Sequence, residues 1–452
     1  MNRPGGATSG TRTGFACVTA AYWAFMLTDG ALRMLVLLHF HALGFSAVQL
    51  AWLFVLYELA GIVANLAAGW IGTRFGLAST LVSGLALQLL ALLALAGLDP
   101  NWSVGVSLAF VALVQGVAGV AKDLTKTGAK SAVKRLAPTD GPDGALFRIV
   151  ALLTGSKNAI KGGGFLLGGL LLAWLGFHDA LLTLAAGLTA VFIAVTVFLP
   201  GGLGRANPGS RARDLFSTSR AVNRLAAARV FLFGARDTWF VIGIPVYFHS
   251  VLSDGTVAGD ARAFALVSTF MAVWIVGYGA VQAAAPALLG AAGNTVRGAL
   301  DQARRWAGVL TGLIGALALA AWVAGATGPS GVGPHGAGAA WLAPSLVIGL
   351  LAFGIVFALN SALHSYLIIA LAGEDRTAMD VGVYYSANAL GRLLGTLASG
   401  VAYQFGGVAG CLVAASAMAL ASRLCAGRLV DADGAHPPAR VAAEGPVGNG
   451  GA

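Results

Sequence analysis

"ALLTLAAGLTAVFIAVTVFL", residues 180–199, contains no charged side chain and only one glycine. A helix of that length rises about 30 Å, the thickness of a bilayer's hydrocarbon core. Runs of the same kind recur along the whole chain of 452 residues, of which 58% are hydrophobic and only 10% charged. With 64 glycines and a mean hydropathy of +0.81, the composition lies outside the soluble range. The fold class read from this pattern is an all-α polytopic membrane protein.

The opening "MNRPGGATSGTRTG" is polar and glycine-rich and reaches an apolar run only near Phe15, so no removable signal peptide is expected. Cys17, Cys411 and Cys425 show no metal-ligand spacing and point to neither a disulfide framework nor a thiolate metal site. A formal charge of +10 invites a nucleic-acid reading, but in a membrane protein it reflects Lys and Arg gathered on the cytoplasmic side. No nucleic-acid partner is expected.

Breaks of Gly, Pro and charge divide the apolar runs into twelve expected spans: 16–40, 47–70, 77–98, 103–122, 149–175, 179–199, 223–251, 263–288, 306–326, 341–371, 381–400 and 407–424. With the N-terminus in the cytoplasm, 21 of the 28 Lys and Arg fall in inner loops, tails or the cytoplasmic ends of spans and only Arg262 in an outer loop, which sets the orientation. "PGGLGRANPGSRARDLFSTSR", 200–220, reads as a cytoplasmic linker. The expected organisation is a six-helix bundle over 1–199, a linker over 200–222, a second bundle over 223–428 and a disordered cytoplasmic tail over 429–452.

The two bundles carry traces of a duplication. Span 5 holds "SKNAI" (156–160) and span 11 "SANAL" (386–390), each followed closely by a cation, Lys161 or Arg392. Tyr57 precedes Asn65 in span 2 by the spacing with which Trp274 precedes Gln282 in span 8. Repeats of this kind are the usual construction of secondary transporters.

Spans 3, 6, 9 and 12 lack charge between their ends, while spans 1, 2, 5, 7 and 11 carry it. If every third helix faces lipid and the others surround a cavity, this distribution is explained, and that arrangement of twelve helices in two pseudo-symmetric bundles is the Major Facilitator fold. "GWIGTRFG", 69–76, partly matches that superfamily's G-x-x-x-D-R-x-G loop, with Thr73 where the acid is expected.

A charge in mid-membrane costs about 2.5–3.5 kcal/mol on insertion scales, so it is normally paired or faces a wet cavity. Counting about 1.5 Å per residue from the cytoplasmic ends places Arg33, Lys157, Lys161, Arg236 and Arg392 deep in four spans. Asp29 and Arg33 are spaced for a pair within their own helix, and Arg236 adjoins Asp237. Lys157 and Lys161 share a face of span 5, which has no acid, and span 11 has none for Arg392. Arg229 sits near a cytoplasmic end, where its side chain can snorkel. Against these six cations the spans hold three acids, Asp29, Glu58 and Asp237, so internal pairing leaves positive charge over.

An anionic substrate supplies the missing partners, and the planar fork of arginine suits phosphate-like oxyanions. Asn158, Asn388, Tyr22 and Gln282 are candidates for neutral hydrogen bonds to it, unless they are structural. Glu58, with no cation in its own span, is the candidate proton-coupling carboxylate, the alternative being a helix-bridging role. Asp29 is expected to hold Arg33 until the anion arrives. "GGGFLLGG", 162–169, reads as close helix packing rather than a phosphate loop. With no catalytic triad, nucleotide fingerprint or metal cluster, the expectation is a protein that is not an enzyme and holds no cofactor.

"AYWAFMLTDGALRMLVLLHFHALGFS" (21–46), "AKDLTKTGAKSAVK" (121–134), "ALLTGSKNAIKGGGFLLGG" (151–169) and "ARVFLFGARDTWFVIGIPVYF" (228–248) resemble the ArsJ organoarsenical efflux permeases of the Major Facilitator superfamily. The resemblance runs from about Phe15 to about Ser422. It implies export across the inner membrane of 1-arseno-3-phosphoglycerate, the unstable ester formed when glyceraldehyde-3-phosphate dehydrogenase uses arsenate, and so a functional partnership with that enzyme and arsenate resistance. Residue chemistry alone leads to a transporter of a multiply charged oxyanion. The alternatives are exchange or proton-coupled transport of phosphate esters or other organic anions, and an anion-binding membrane sensor.

Overall fold

The computed structural model describes residues 9–75, 77–136, 145–199, 220–290, 296–328, 337–371 and 377–433, and all regular structure among them is helical. The first helices are α1 (Ser9–Ala42), α2 (Ala47–Leu53), α3 (Val55–Phe75), α4 (Leu77–Ala96), α5 (Val104–Leu136) and α6 (Ala145–Phe198). After residue 219 come α7 (Arg220–Phe240), α8 (Gly243–Leu252), α9 (Val257–Leu289), α10 (Val296–Val323), α11 (Ala337–Leu371) and α12 (Thr377–Asp433).

Local chemistry sets several boundaries. Ser46 starts α2 with a reciprocal cap: its hydroxyl accepts from the Gln49 amide (3.3 Å) and its own amide donates to the Gln49 side chain (2.8 Å). Expected span 2 is α2 and α3 with Phe54 between them, and expected span 7 is α7 and α8. Spans 5 and 6 lie in α6, and spans 11 and 12 in α12.

Among the described residues ten stretches are long and apolar enough to cross a membrane. Two of them, Ser156–Phe198 and Val383–Arg428, have 43 and 46 residues. Straight, each would be about 65–70 Å long, twice the hydrocarbon thickness. Neither is straight, because Gly176 (φ 76°, ψ −176°) and Gly407 (φ 56°, ψ −155°) leave the helical region. At Gly407 the chain also passes within reach of the Ala326 and Gly328 carbonyls, where a Cβ would collide.

The packing repeats itself. α1 lies along α6 and α7 along α12, while α6 meets α9 and α3 meets α12 across residues 200–219. Glycines set these approaches: a Cβ on Gly164 or Gly168 would strike the α1 carbonyls of Leu27 or Ala31, and one on Gly162 or Gly169 would strike α9. The close-packing reading of 162–169 therefore holds on two faces of α6. The helices expected to face lipid carry exposed apolar side chains, among them Leu90, Ile193, Phe198, Leu319, Trp322 and Leu424.

Two boundaries move. α7 begins inside the expected linker, with Val222 buried, and α12 continues to Asp433, inside the expected tail. The remainder of both segments (200–219 and 434–452) lies outside the described residues, as does the side-chain detail of the partial signature at 69–76.

Candidate substrate site

Near the Gly407 bend, α2 packs closely on α12. A Cβ on Gly400 would lie 2.6 Å from that of Ala51, and His41 of α1 stands edge-on to His249 of α8 with ring centroids 4.9 Å apart. Apart from this contact, α1, α3, α5, α6, α7, α9, α11 and α12 line a cavity of about 190 Å³.

Eleven of the twelve side chains singled out in the sequence line it: Tyr22, Asp29 and Arg33 from α1, Lys157, Asn158 and Lys161 from α6, Arg236 and Asp237 from α7, Gln282 from α9, and Asn388 and Arg392 from α12. Glu58 is the exception, fully buried behind the wall.

The pairing among them differs from the expectation. Asp29 does not take Arg33 as its partner; its carboxylate accepts from Lys161 (3.1 Å) and from the Tyr57 hydroxyl. Arg33 turns to α3, where both its terminal nitrogens donate to Glu58 Oε1 at 3.3 and 3.4 Å, with its guanidinium 5.0 Å from the centre of the Phe54 ring. A helix presents i and i+4 on one face, but two neighbouring helices offer each side chain a partner with better reach. The same Glu58 oxygen accepts from Arg392 at 2.7 Å, so Glu58 is not the unpaired carboxylate that its own span implied. Arg392 also lies 3.7 Å from Asp237, which accepts from Arg236 Nε.

Sequence reading missed a second group. Lys122, Asp123 and Lys126 reach the cavity from α5, with Asp123 within 3.7 Å of Lys122 and 3.4 Å of Lys126, and Lys126 also donates to Asn65 (2.7 Å). Expected span 4 ends at 122, whereas α5 runs on to Leu136. The spacing of Lys122 and Lys126 on one helical face was the available signal. Arg229 does not snorkel: it is 5% exposed, donates to the Ser361 carbonyl (3.1 Å) and hydroxyl (3.0 Å) and to Asn388 (3.3 Å), and borders the cavity. Asn158 donates to Gln282 (3.3 Å) and Gln282 to Ser361 (3.3 Å), which joins α6, α9 and α11.

The sequence matches the family model described as Major Facilitator Superfamily over residues 15–396, most of the chain. The chain belongs to the Major Facilitator Superfamily. Solved transporter structures share its fold. A POT family transporter in complex with a thioalcohol-conjugated peptide is 14% identical, with a TM-score of 0.65 over 91% of this chain and 95% of that one. A point mutant of the nucleoside transporter NupG is 14% identical, with 0.61 over 93% and 99%. A POT family transporter in complex with 5-aminolevulinic acid is 15% identical, with 0.63 over 91% and 94%. No curated protein sequence matches. The chain is a multi-pass membrane transporter of the Major Facilitator type.

Around the cavity of this Major Facilitator protein stand the cations Arg33, Lys122, Lys126, Lys157, Lys161, Arg229, Arg236 and Arg392, against the carboxylates Asp29, Asp123, Asp237 and, behind the wall, Glu58. Among the described residues, eight cations stand against four carboxylates, an excess of four positive charges. In a low-dielectric surround such an excess attracts anions strongly.

Proposed function

We propose that this transporter exports a small, multiply charged oxyanion by alternating access, and that its cargo is the arsenate ester of phosphoglycerate. The excess of cations around one cavity between the two sides of the molecule carries this reading, since every such charge costs free energy in hydrocarbon unless an anion compensates it. α6 and α12 each cross the membrane twice, turning at Gly176 and Gly407, which makes twelve crossings in two bundles, 1–199 and 223–428, with both termini in the cytoplasm. The seal at Gly400 closes the outer face while the cavity admits cargo from the inner one. Arsenic enters through the resemblance of 21–46, 121–134, 151–169 and 228–248 to organoarsenical permeases. Glyceraldehyde-3-phosphate dehydrogenase supplies the ester, and loss of cargo from the cell gives arsenate resistance.

A second reading keeps the machinery and changes the cargo. None of the three cysteines lines the cavity, and the guanidinium, ammonium and amide groups that do bind phosphate esters as readily as arsenate esters. Exchange of organic phosphates across the membrane follows from the same site.

Transport into inverted vesicles separates the two. Vesicles are given enzyme-generated arsenoester, 3-phosphoglycerate or arsenate, with and without a pH gradient. Uptake of arsenic and phosphoglycerate together is the expected result. Uptake of 3-phosphoglycerate alone, in exchange for internal phosphate, selects the second reading, and uptake of free arsenate without the ester sinks the first.

A further inference from the structure

Around the cavity Arg33, Lys122, Lys126, Lys161, Arg236 and Arg392 each have a carboxylate within 4 Å. Arg229 does not: among the described residues its partners are the Ser361 carbonyl and hydroxyl and the Asn388 amide oxygen, all neutral. Its guanidinium also stacks 4.0 Å from the centre of the Phe233 ring and 4.9 Å from that of Tyr384. These contacts fix the fork in place and leave its charge whole. A buried guanidinium that is oriented but not neutralised, at the edge of a cavity, is built to receive an anion.

Arg236 lies against the same ring, 4.7 Å from the Phe233 centroid. Seven residues apart on α7, the two arginines share one face, and their guanidinium carbons are no farther apart than those two ring distances laid end to end. Arg236 already shares Asp237, whereas Arg229 shares nothing charged.

We infer that Arg229 forms a second anion subsite, separate from the carboxylate-paired ring of Arg33, Arg236 and Arg392, and that the cargo is a short bis-anion with one acidic group at each subsite. This deepens the proposed function and rests on it. Phe233 sets the separation of the two subsites, and Ser361 and Asn388 aim the fork from α11 and α12. A mono-anion satisfies only one of them.

Two probes differing by one charged group test this on the purified full-length protein: 3-phosphoglycerate, with phosphate and carboxylate, and glycerol 3-phosphate, with phosphate alone. Wild type is expected to bind 3-phosphoglycerate about tenfold or more tightly over glycerol 3-phosphate, the contribution of one charge-assisted contact. Arg229→Gln is expected to abolish that preference by weakening 3-phosphoglycerate about tenfold more than glycerol 3-phosphate, and Arg229→Lys to retain most of it. Asn388→Asp guards against misfolding of the glutamine variant, because it gives Arg229 an internal counter-ion and removes a buried charge imbalance; it too is expected to erase the preference. Equal weakening of both probes, or an unchanged preference in Arg229→Gln and Asn388→Asp, overturns the subsite and leaves the anion cavity standing. Binding of neither probe by wild type overturns the subsite, while the proposed function is decided separately by arsenoester uptake into inverted vesicles.

Discussion

Glu58 Oε1 lies 2.7 Å from Arg392 Nη2, joining α3 to α12 across the boundary between the two sides of the molecule. Since Arg33 donates to the same oxygen, one carboxylate holds two arginines that border the cavity. An incoming anion must compete with Glu58 for both. Glu58→Gln is therefore expected to bind 3-phosphoglycerate about tenfold more tightly and to turn over more slowly, as measured by equilibrium binding and by flux in proteoliposomes. Loss of the buried pair is also expected to lower unliganded stability by about 3–5 kcal/mol, with part of the loss restored by ligand in a thermal melt. Weaker binding in this variant would mean that Glu58 positions the arginines for the anion rather than competing with it.

Asp29 and Lys161 make the next prediction, because the sequence and the structure assign Asp29 different partners. Lys161→Met leaves Asp29 buried with Tyr57 as its one hydrogen-bond donor among the described residues, and Asp29→Asn takes from Lys161 its ion-pair partner. Removing both is expected to cost less than the two single changes together, by about 1–3 kcal/mol in a double-mutant cycle on unfolding. The equivalent cycle on Asp29 and Arg33 is expected to be additive within about 0.5 kcal/mol. The reverse result restores the intrahelical pair.

What the sequence revealed and what it hid follow from the same physics. Apolar run length announces a membrane helix, and a charge inside one announces a cavity, so Lys157, Lys161, Arg236 and Arg392 were legible one at a time. Partner choice was not, because it depends on which helices are neighbours: Arg33 reaches Glu58 only because α1 and α3 share the cavity wall. Counting depth from a span 7 that starts at 223 misplaces Arg229, because α7 begins at Arg220 and Arg229 meets α11 and α12 side chains no span pattern records. Lys122 and Lys126 escape the same way, at a span end set at 122 although α5 runs on to Leu136. The bend at Gly176, by contrast, falls in the expected break between spans 5 and 6, and that at Gly407 on the first residue of expected span 12.

Gly168 and Gly187 separate packing glycines from incidental ones. A Cβ on Gly168 would stand 2.4 Å from the Ala31 carbonyl, whereas nothing lies within 4 Å of one on Gly187. Gly168→Ala is expected to push α6 off α1 and cost about 1–3 kcal/mol, with a matching fall in folded, monodisperse protein on size-exclusion chromatography. Gly187→Ala is expected to behave as wild type. Equal yields from both would remove the close α1–α6 approach as a requirement of the fold.

Gly400 tests the conformational reading. A Cβ there would lie 2.7 Å from the Ala47 carbonyl as well as against Ala51, so any side chain opposes closure of α2 on α12. A transporter with a second state open at that end relieves the clash by populating it, and the shift equals the difference in strain between the two states. Spin labels on Leu43 and Val251, exposed residues at the far ends of α1 and α8, report the separation without touching the seal. Gly400→Val is expected to lengthen the 43–251 distance in the absence of ligand and to slow transport, while leaving the protein folded. An unchanged distance in a folded, inactive variant would show that α2 and α12 stay together through the cycle, and would place the moving contact elsewhere on the α3–α12 and α6–α9 boundary.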